Sequence, residues 1–274
     1  MHKQIKIKRV ARPIKTEAMP KVSTSGKTQE MAVAKNEGAQ EVFRRTEIKY
    51  IISAEEYEKL MKLLEPYLKP DKYFKSTNCS IYYDTKDRYL AIHSMEKPIY
   101  KEKIRLRSYS APKSLDSPVF IEIKKKYKGI VGKRRVQTTL GEFYQYMETG
   151  ELKTSNPQIK KELDYCFRYY KLELALCLAY DRLSFCGKND PKFRLTFDRN
   201  VRSREHDLRL EDGDQGELFF KNDERVMEAK ALGAYPLWFA RALSQAKIYP
   251  ASFSKYGRVY EKRMNDLKES EKKG

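Results

Sequence analysis

The sequence has no uninterrupted apolar run long enough to span a membrane; its longest candidates are broken by Lys, Arg or Glu every few residues. Its opening, MHKQIKIKRV, lacks the apolar core of a secretory signal. The four cysteines, Cys79, Cys166, Cys177 and Cys186, show no CxxC spacing, which fits reduced thiols in a cytoplasmic protein. His93 and His206 stand isolated, without the spacing of a catalytic triad or a zinc site. Gly129-Ile130-Val131-Gly132-Lys133 is too short for a P-loop, which needs four residues between its glycines. Asp212-Gly213-Asp214 lacks the third ligand of a calcium loop and reads as a hairpin turn. The single tryptophan, Trp238, reads most simply as core.

What the chain does have is positive charge. Its 274 residues carry 57 Lys and Arg against 38 Asp and Glu, a formal net charge of +19. Such an excess points to an anionic partner: nucleic acid, acidic lipid or a phosphate-rich ligand. Aromatics make up 12%, with 20 tyrosines among them, too many for a disordered chain.

Residues 1–40 read as a basic flexible N-terminal tail, rich in Lys and Arg, with scattered Pro, Ser and Gly and no apolar periodicity. From Glu41 the chain becomes dense, and residues 41–264 read as one domain followed by a charged C-terminal tail over 265–274. There are no internal repeats of solenoid length. Ser53 and Glu56 form a capping box ahead of Tyr57, Leu60, Met61 and Leu64 on one helical face. A second helix is expected from Asn156-Pro157, with Ile159, Leu163, Phe167 and Tyr170 inward, and a third from Pro236, with Phe239, Ala242, Leu243 and Ala246 at helical spacing. Alternating segments over 45–52, 79–84, 101–109, 118–126, 132–139, 177–185, 192–198 and 225–231 give about eight strands. With three or four helices, this predicts an α+β domain with a mostly antiparallel sheet.

The composition of the alternation carries the functional signal. In KEKIRLRSY, Lys103, Arg105 and Arg107 share one face, opposite Ile104 and Leu106. In VFIEIKKKY, Glu122, Lys124 and Lys126 oppose Val119, Ile121 and Ile123. Arg45, Glu47 and Lys49 oppose Ile48 and Tyr50; Lys192, Arg194 and Thr196 oppose Phe193, Leu195 and Phe197. Glu228 and Lys230 oppose Met227 and Ala229, while Tyr180, Arg182 and Ser184 form one face of a further strand. Each strand therefore has a charged and an apolar side.

Two arrangements remain open on pattern alone. Either the charged side meets water, or the sheet curls so that the charged sides converge. Convergence is costly by repulsion and desolvation unless an anion or a metal fills the space. Individual residues divide in the same way: Lys126 and Lys192 are surface charges or lining, Glu47 pairs with a neighbouring cation or binds metal, and Tyr180 is core or ligand contact. The aromatics sit mostly on apolar faces, not interleaved with the basic residues, which argues against a nucleic-acid stacking platform.

Taken in order, these segments resemble a VTC domain, the polyphosphate polymerase branch of the triphosphate tunnel metalloenzymes. The resemblance covers most of 41–263. It rests on Glu47-Ile48-Lys49-Tyr50, Tyr83-Asp84-Thr85, Lys103-Ile104-Arg105-Leu106-Arg107 and Glu122-Ile123-Lys124. It continues through Gly132-Lys133-Arg134-Arg135, Tyr180-Asp181-Arg182 with Arg194, Met227-Glu228-Ala229-Lys230 and Ser254-Lys255-Tyr256-Gly257.

The resemblance implies an eight-stranded antiparallel β tunnel with inward-facing basic residues and helices packed outside. It implies an ATP-dependent polyphosphate polymerase, a transferase that adds the γ-phosphate of ATP to inorganic polyphosphate with Mn2+ or Mg2+. By resemblance, Lys49, Arg105, Arg107, Lys124, Arg182 and Arg194 serve the transfer, and Lys133, Tyr180, Lys230, Ser254 and Lys255 bind phosphate. Glu228 is the principal metal ligand, with Glu122 and Glu47 beside it. Hydrolytic members of the superfamily open with Glu-x-Glu-x-Lys, whereas Arg45 occupies the first of these positions here. That departure disfavours a second metal and water activation. The rival readings are a tripolyphosphatase or nucleoside triphosphatase of the same fold, and a polyphosphate-binding module without turnover. The expected setting is a stand-alone, prokaryote-type, cytoplasmic member with no transmembrane segment and no nucleic-acid partner.

Overall fold

Side chains that alternate between charged and apolar become strands of a single antiparallel sheet, because only that period of two can bury one side and leave the other polar. A computed structural model describes residues 45–271 except 129 and 221; the expected basic tail over 1–40 lies outside the described residues. The strands are β1 (Arg45–Ile52), β2 (Leu68–Asp84), β3 (Tyr100–Ser108), β4 (Pro118–Tyr127), β5 (Ile130–Thr139), β6 (Glu173–Gly187), β7 (Arg194–Arg204), β8 (Glu217–Leu218) and β9 (Arg225–Leu232). The helices are α1 (Ala54–Leu64), α2 (Tyr89–Met95), α3 (Leu140–Thr149), α4 (Pro157–Tyr170), α5 (Leu237–Ala246) and α6 (Lys255–Glu271). Among the described residues no helix is long and apolar enough to cross a membrane, and all four cysteines are free thiols.

The α+β expectation holds, with two corrections of detail. The eight long strands follow the order β1-β9-β7-β6-β2-β3-β4-β5, and the two-residue β8 pairs only with β7. The sheet curls but does not close into a barrel, since β1 and β5 remain its two ends. The curl is nevertheless deep: the Glu47 carboxylate on β1 comes within 3.9 Å of the Lys124 ammonium on β4. Register shifts between Pro70 and Lys75, between Tyr82 and Tyr83, and between Ala179 and Asp181 account for part of the bending, because an extra residue on one strand sharpens its twist.

Each apolar side finds a helical cover. Ile81, Ile104, Leu106, Ile121 and Ile123 are buried with Phe143 of α3 and Leu163 of α4. Tyr50, Ile52, Leu195, Phe197 and Met227 are buried with Leu60 of α1 and Phe239 of α5. Sequence signals explain three of these helices: the Ser53–Glu56 box caps α1 in both directions, Asn156 caps α4 at the Ile159 amide, and Pro236 precedes α5.

The third cluster lies on the charged side of the sheet. There Tyr82, Leu176, Leu178 and Val226 pack against Phe253, Tyr256 and Val259, the last two from α6. The Tyr82 and Tyr256 rings stack with centroids 4.7 Å apart. Asp84, fully buried, accepts the Tyr256 hydroxyl at 2.6 Å and the Leu90 and Ala91 amides that open α2. Helix α6 runs through Glu271, so the stretch expected as a tail from 265 continues a helix.

Candidate active site

Strand register sets the lining. Lys49 lies opposite Glu228 and Glu47 opposite Lys230 across β1 and β9; Glu228 lies opposite Thr196 and Lys230 opposite Arg194 across β9 and β7. Arg182 lies opposite Asp198. On the other wall Arg105, Glu122 and Arg135 form one row across β3, β4 and β5, and Lys103, Lys124 and Lys133 form the next. Because paired residues point the same way, the curl brings all of these onto one concave face.

Glu122 is buried and carries three cations. Its Oε2 accepts Arg105 Nε at 2.8 Å; its Oε1 accepts Arg135 Nε at 2.7 Å and Lys133 Nζ at 2.7 Å. Burial raises the carboxyl pKa, but Arg105, Arg107 and Lys133 outweigh it and hold the group far below the usual carboxylate range. Arg105 also donates to the Tyr82 hydroxyl at 2.9 Å. Burial lifts the Tyr82 phenol, yet Arg105, Arg107 and Lys103 pull it down to about 8.

A second carboxylate, Asp198, is fully buried and neutralises Arg182 through two bonds of 2.6 and 2.8 Å. Lys255, the first residue of α6, adds a third at 2.5 Å. Burial opposes the charge on Asp198, but Lys255 and Arg182 prevail and its pKa is lowered. Both cations stand over the Tyr180 ring, at 5.2 Å for Arg182 and 4.6 Å for Lys255.

The third acidic group is the pair Glu47 and Glu228. Lys230 lies 2.7 Å from Glu228 and 3.6 Å from Glu47, and Lys49 lies 3.9 Å from Glu47 while donating to the Phe253 carbonyl at 3.2 Å. Burial works against ionised Glu228, but Lys230 and Lys49 hold its pKa well below normal. The buried Thr196 hydroxyl opposite Glu228 has no partner among the described residues.

Arg107 differs from all of these. It is buried, and its guanidinium donates to Ser80 Oγ at 3.2 Å and to the Tyr180 hydroxyl at 2.9 Å. Among the described residues no carboxylate forms an ion pair with it. Its direct hydrogen-bond partners are both neutral and Glu122 offsets its charge only through space, so an incoming anion adds a direct charged partner. Nearby, Lys103 donates to Ser254 Oγ at 2.7 Å, and burial pushes its pKa down to about 8; burial does the same to Lys133, also to about 8.

The structure thus gathers nearly every expected site residue on one face. Lys49, Arg105, Arg107, Lys124, Arg182, Lys133, Tyr180, Lys230, Ser254 and Lys255 line it. Arg194 stands at its exposed margin, ion-paired with Asp71 of β2. Glu122 is not brought to Glu47 and Glu228: its two oxygens are taken by three cations on the opposite wall, and no cluster of three metal-ligating side chains forms among the described residues. Lys126 is exposed near the end of β4, and Lys192 precedes β7 in a turn. Lys103, Arg135, Asp198 and Tyr82 carry no site role in the sequence reading. Yet Lys103 and Arg135 lie in the motifs quoted there, Lys103 is on the charged face of its strand, and Asp198 continues the alternation of Arg194 and Thr196.

Two depressed lysines give the face a pH dependence. An anion bound beside Lys103 and Lys133 stabilises their charged forms and raises their pKa values, so binding draws in protons. We expect affinity for inorganic tripolyphosphate to fall as pH rises through about 8, with proton uptake seen by calorimetry in buffers of different ionisation enthalpy. An affinity unchanged between about pH 7 and about pH 9.5 contradicts this assignment.

The family model of the VTC domain matches residues 44–263, from the start of β1 into α6. No match was found among curated proteins. Similar solved structures include proteins provisionally named adenylate cyclases from Bacillus halodurans and Vibrio parahaemolyticus. Each is 13% identical, with TM-scores of 0.47 and 0.45, covering 76% and 80% of this chain and 92% and 98% of theirs. The PH1819 protein of Pyrococcus horikoshii OT3 is likewise 13% identical at a TM-score of 0.43, covering 80% of this chain and 99% of its own. With one family model matching from the first strand to the last helix, over a sheet whose charged side forms one basic face, the chain belongs to the VTC domain family.

Proposed function

We propose that this chain is an ATP-dependent polyphosphate polymerase, moving the γ-phosphoryl group of ATP onto the end of an inorganic polyphosphate chain. The observation that carries the reading is the buried, carboxylate-free Arg107, set among Arg105, Lys103 and Lys133. Phosphoryl transfer asks little covalent chemistry of a protein and much positioning and charge neutralisation. Arg105 and Arg182 are held by Glu122 and Asp198, so their guanidinium planes are fixed before substrate arrives. Lys49, Lys124 and Lys255 approach from β1, β4 and α6 and supply compact charges for non-bridging oxygens.

Glu228 and Glu47 suit one hard cation, Mn2+ or Mg2+. They share one lysine on adjacent strands beside an unpartnered threonine hydroxyl, and such ions need only one or two carboxylates plus phosphate oxygens. When bound there, the ion supplies further neutralisation of the triphosphate. Lys230 is the residue that must yield, and its mobile ammonium can turn to phosphate instead.

Transfer to phosphate is favoured over hydrolysis. A terminal phosphate oxygen is already anionic and needs no base, whereas water is helped by one. Glu122, Glu228 and Glu47 are all engaged by cations, and burial-opposing neighbours keep Glu122 and Glu228 strongly acidic.

The test is incubation with ATP, Mn2+ and a short polyphosphate primer, following ADP, free phosphate and chain length together. We expect ADP release matched by chain growth, and a loss of about a hundredfold or more in Glu228→Gln. ADP with stoichiometric free phosphate means a hydrolase. Primer binding without turnover means a binding module.

A further inference from the structure

On β3 and β4 the row of Arg105 and Glu122 is followed outward by Lys103 with Lys124, and then by Lys101 with Lys126. Like charges directly opposite one another on a sheet destabilise it, and here two such rows follow in succession. Glu47 lies 3.9 Å from Lys124, but among the described residues neither Lys101 nor Lys126 is ion-paired. Lys101 is half-buried and donates to the Ser94 carbonyl at the end of α2 at 3.0 Å. Burial and the nearby ammonium groups of Lys126 and Lys124 lower its pKa. Rows recur every two residues, about 6.6 Å, so from Arg105 to Lys101 the ladder spans about 13 Å. It runs from buried Glu122 to exposed Lys126, from the interior to the surface.

We propose that Lys101 and Lys126 form a chain-holding subsite, which grips phosphate units of a long polyphosphate beyond those engaged at the reaction centre. The proposal rests on the phosphate-chain reading above and adds a determinant of product length. A triphosphate seated among Arg105, Arg107 and Lys103 does not reach the outermost row. A longer chain does, and its repeating negative charge removes the repulsion between the paired lysines.

The experiment compares inorganic tripolyphosphate with long-chain inorganic polyphosphate, binding each to the full chain and to the double variant Lys101→Ala with Lys126→Ala. The variant is expected to bind tripolyphosphate within about twofold of the parent and long chains about tenfold more weakly. The slope of log affinity against log salt for long chains is expected to fall by about 2, one unit for each lost phosphate contact. The doubly substituted Lys101→Arg with Lys126→Arg restores long-chain affinity. In the polymerase assay the alanine variant releases ADP with a short primer but makes shorter products. Equal weakening of both ligands, or of neither, overturns the subsite. The binding arm needs no turnover. A parent that holds long chains in this way yet never extends them refutes the polymerase and leaves the subsite standing. A parent that polymerises without preferring long chains refutes the subsite alone.

Discussion

Arg107→Gln is expected to lower kcat/KM for chain growth about a thousandfold, roughly 4 kcal/mol of transition-state stabilisation, while leaving the melting temperature unchanged or higher. Most losses of activity from a buried residue come with losses of stability. Here the two should separate. The Arg107 guanidinium is buried against two hydroxyls and forms no ion pair with a carboxylate among the described residues. In the empty protein its charge is offset through space by Glu122 and makes no direct ion pair, so a neutral amide that can still bond Ser80 or Tyr180 gives up no salt bridge. In the proposed reaction the same charge would face the phosphoryl oxygens in a water-poor site, where electrostatic stabilisation is strongest. Steady-state kinetics and thermal unfolding on one preparation check both halves. Activity within tenfold of the parent makes Arg107 a structural residue and removes the chief support for the proposed reaction.

The opposite pattern is expected for Asp198→Asn. This change removes the carboxylate that ion-pairs with both Arg182 and Lys255, whose side chains are only 19% and 13% exposed. Breaking a buried ion pair from one side costs about 3–5 kcal/mol, because the surviving charges stay buried without compensation. For a domain of this size that lowers the melting temperature by about 6–20 °C. Added inorganic tripolyphosphate is expected to restore part of the loss, more than it raises the parent, because the anion takes over the neutralisation. A variant melting within about 2 °C of the parent means that Arg182 and Lys255 swing to solvent, and that Asp198 does not hold them.

Strand alternation was the most legible signal in the sequence. It placed Lys49, Arg105, Arg107, Arg182 and Glu228 on a common face, and the sheet keeps them there. What alternation cannot encode is which anion meets which cation across the curl. Glu122 reads locally like Glu228, each two residues before a lysine, but the first sits between Arg105 and Arg135 and the second beside Lys49 and Lys230. Helix α2 escaped notice for a related reason. Its start has no capping residue of its own: Arg88 adopts φ 58°, and the amides of Leu90 and Ala91 go to Asp84 on the preceding strand. The first half of β2 contains Pro70 and a register shift, and shows no alternation to read. The third apolar cluster, on the charged side of the sheet, was hidden because Leu176 and Leu178 share a face with Arg182, so one strand side is apolar at one end and charged at the other.

The pairing of β1 has a consequence for biosynthesis. Among the described residues β9 is the strand that pairs with β1, the Lys49 carbonyl also accepts the Ala251 amide at 2.7 Å, and Thr46 donates to the Gly233 carbonyl 187 residues away. β1, the first of the described strands in chain order, must wait until nearly the whole domain has left the ribosome. Such long-range closure adds little to the equilibrium cost but slows folding markedly. A waiting edge strand is an aggregation hazard, and charges on it are the usual protection. Glu47 and Lys49 are charges of this kind on β1, expected to blunt the strand until β9 pairs with it.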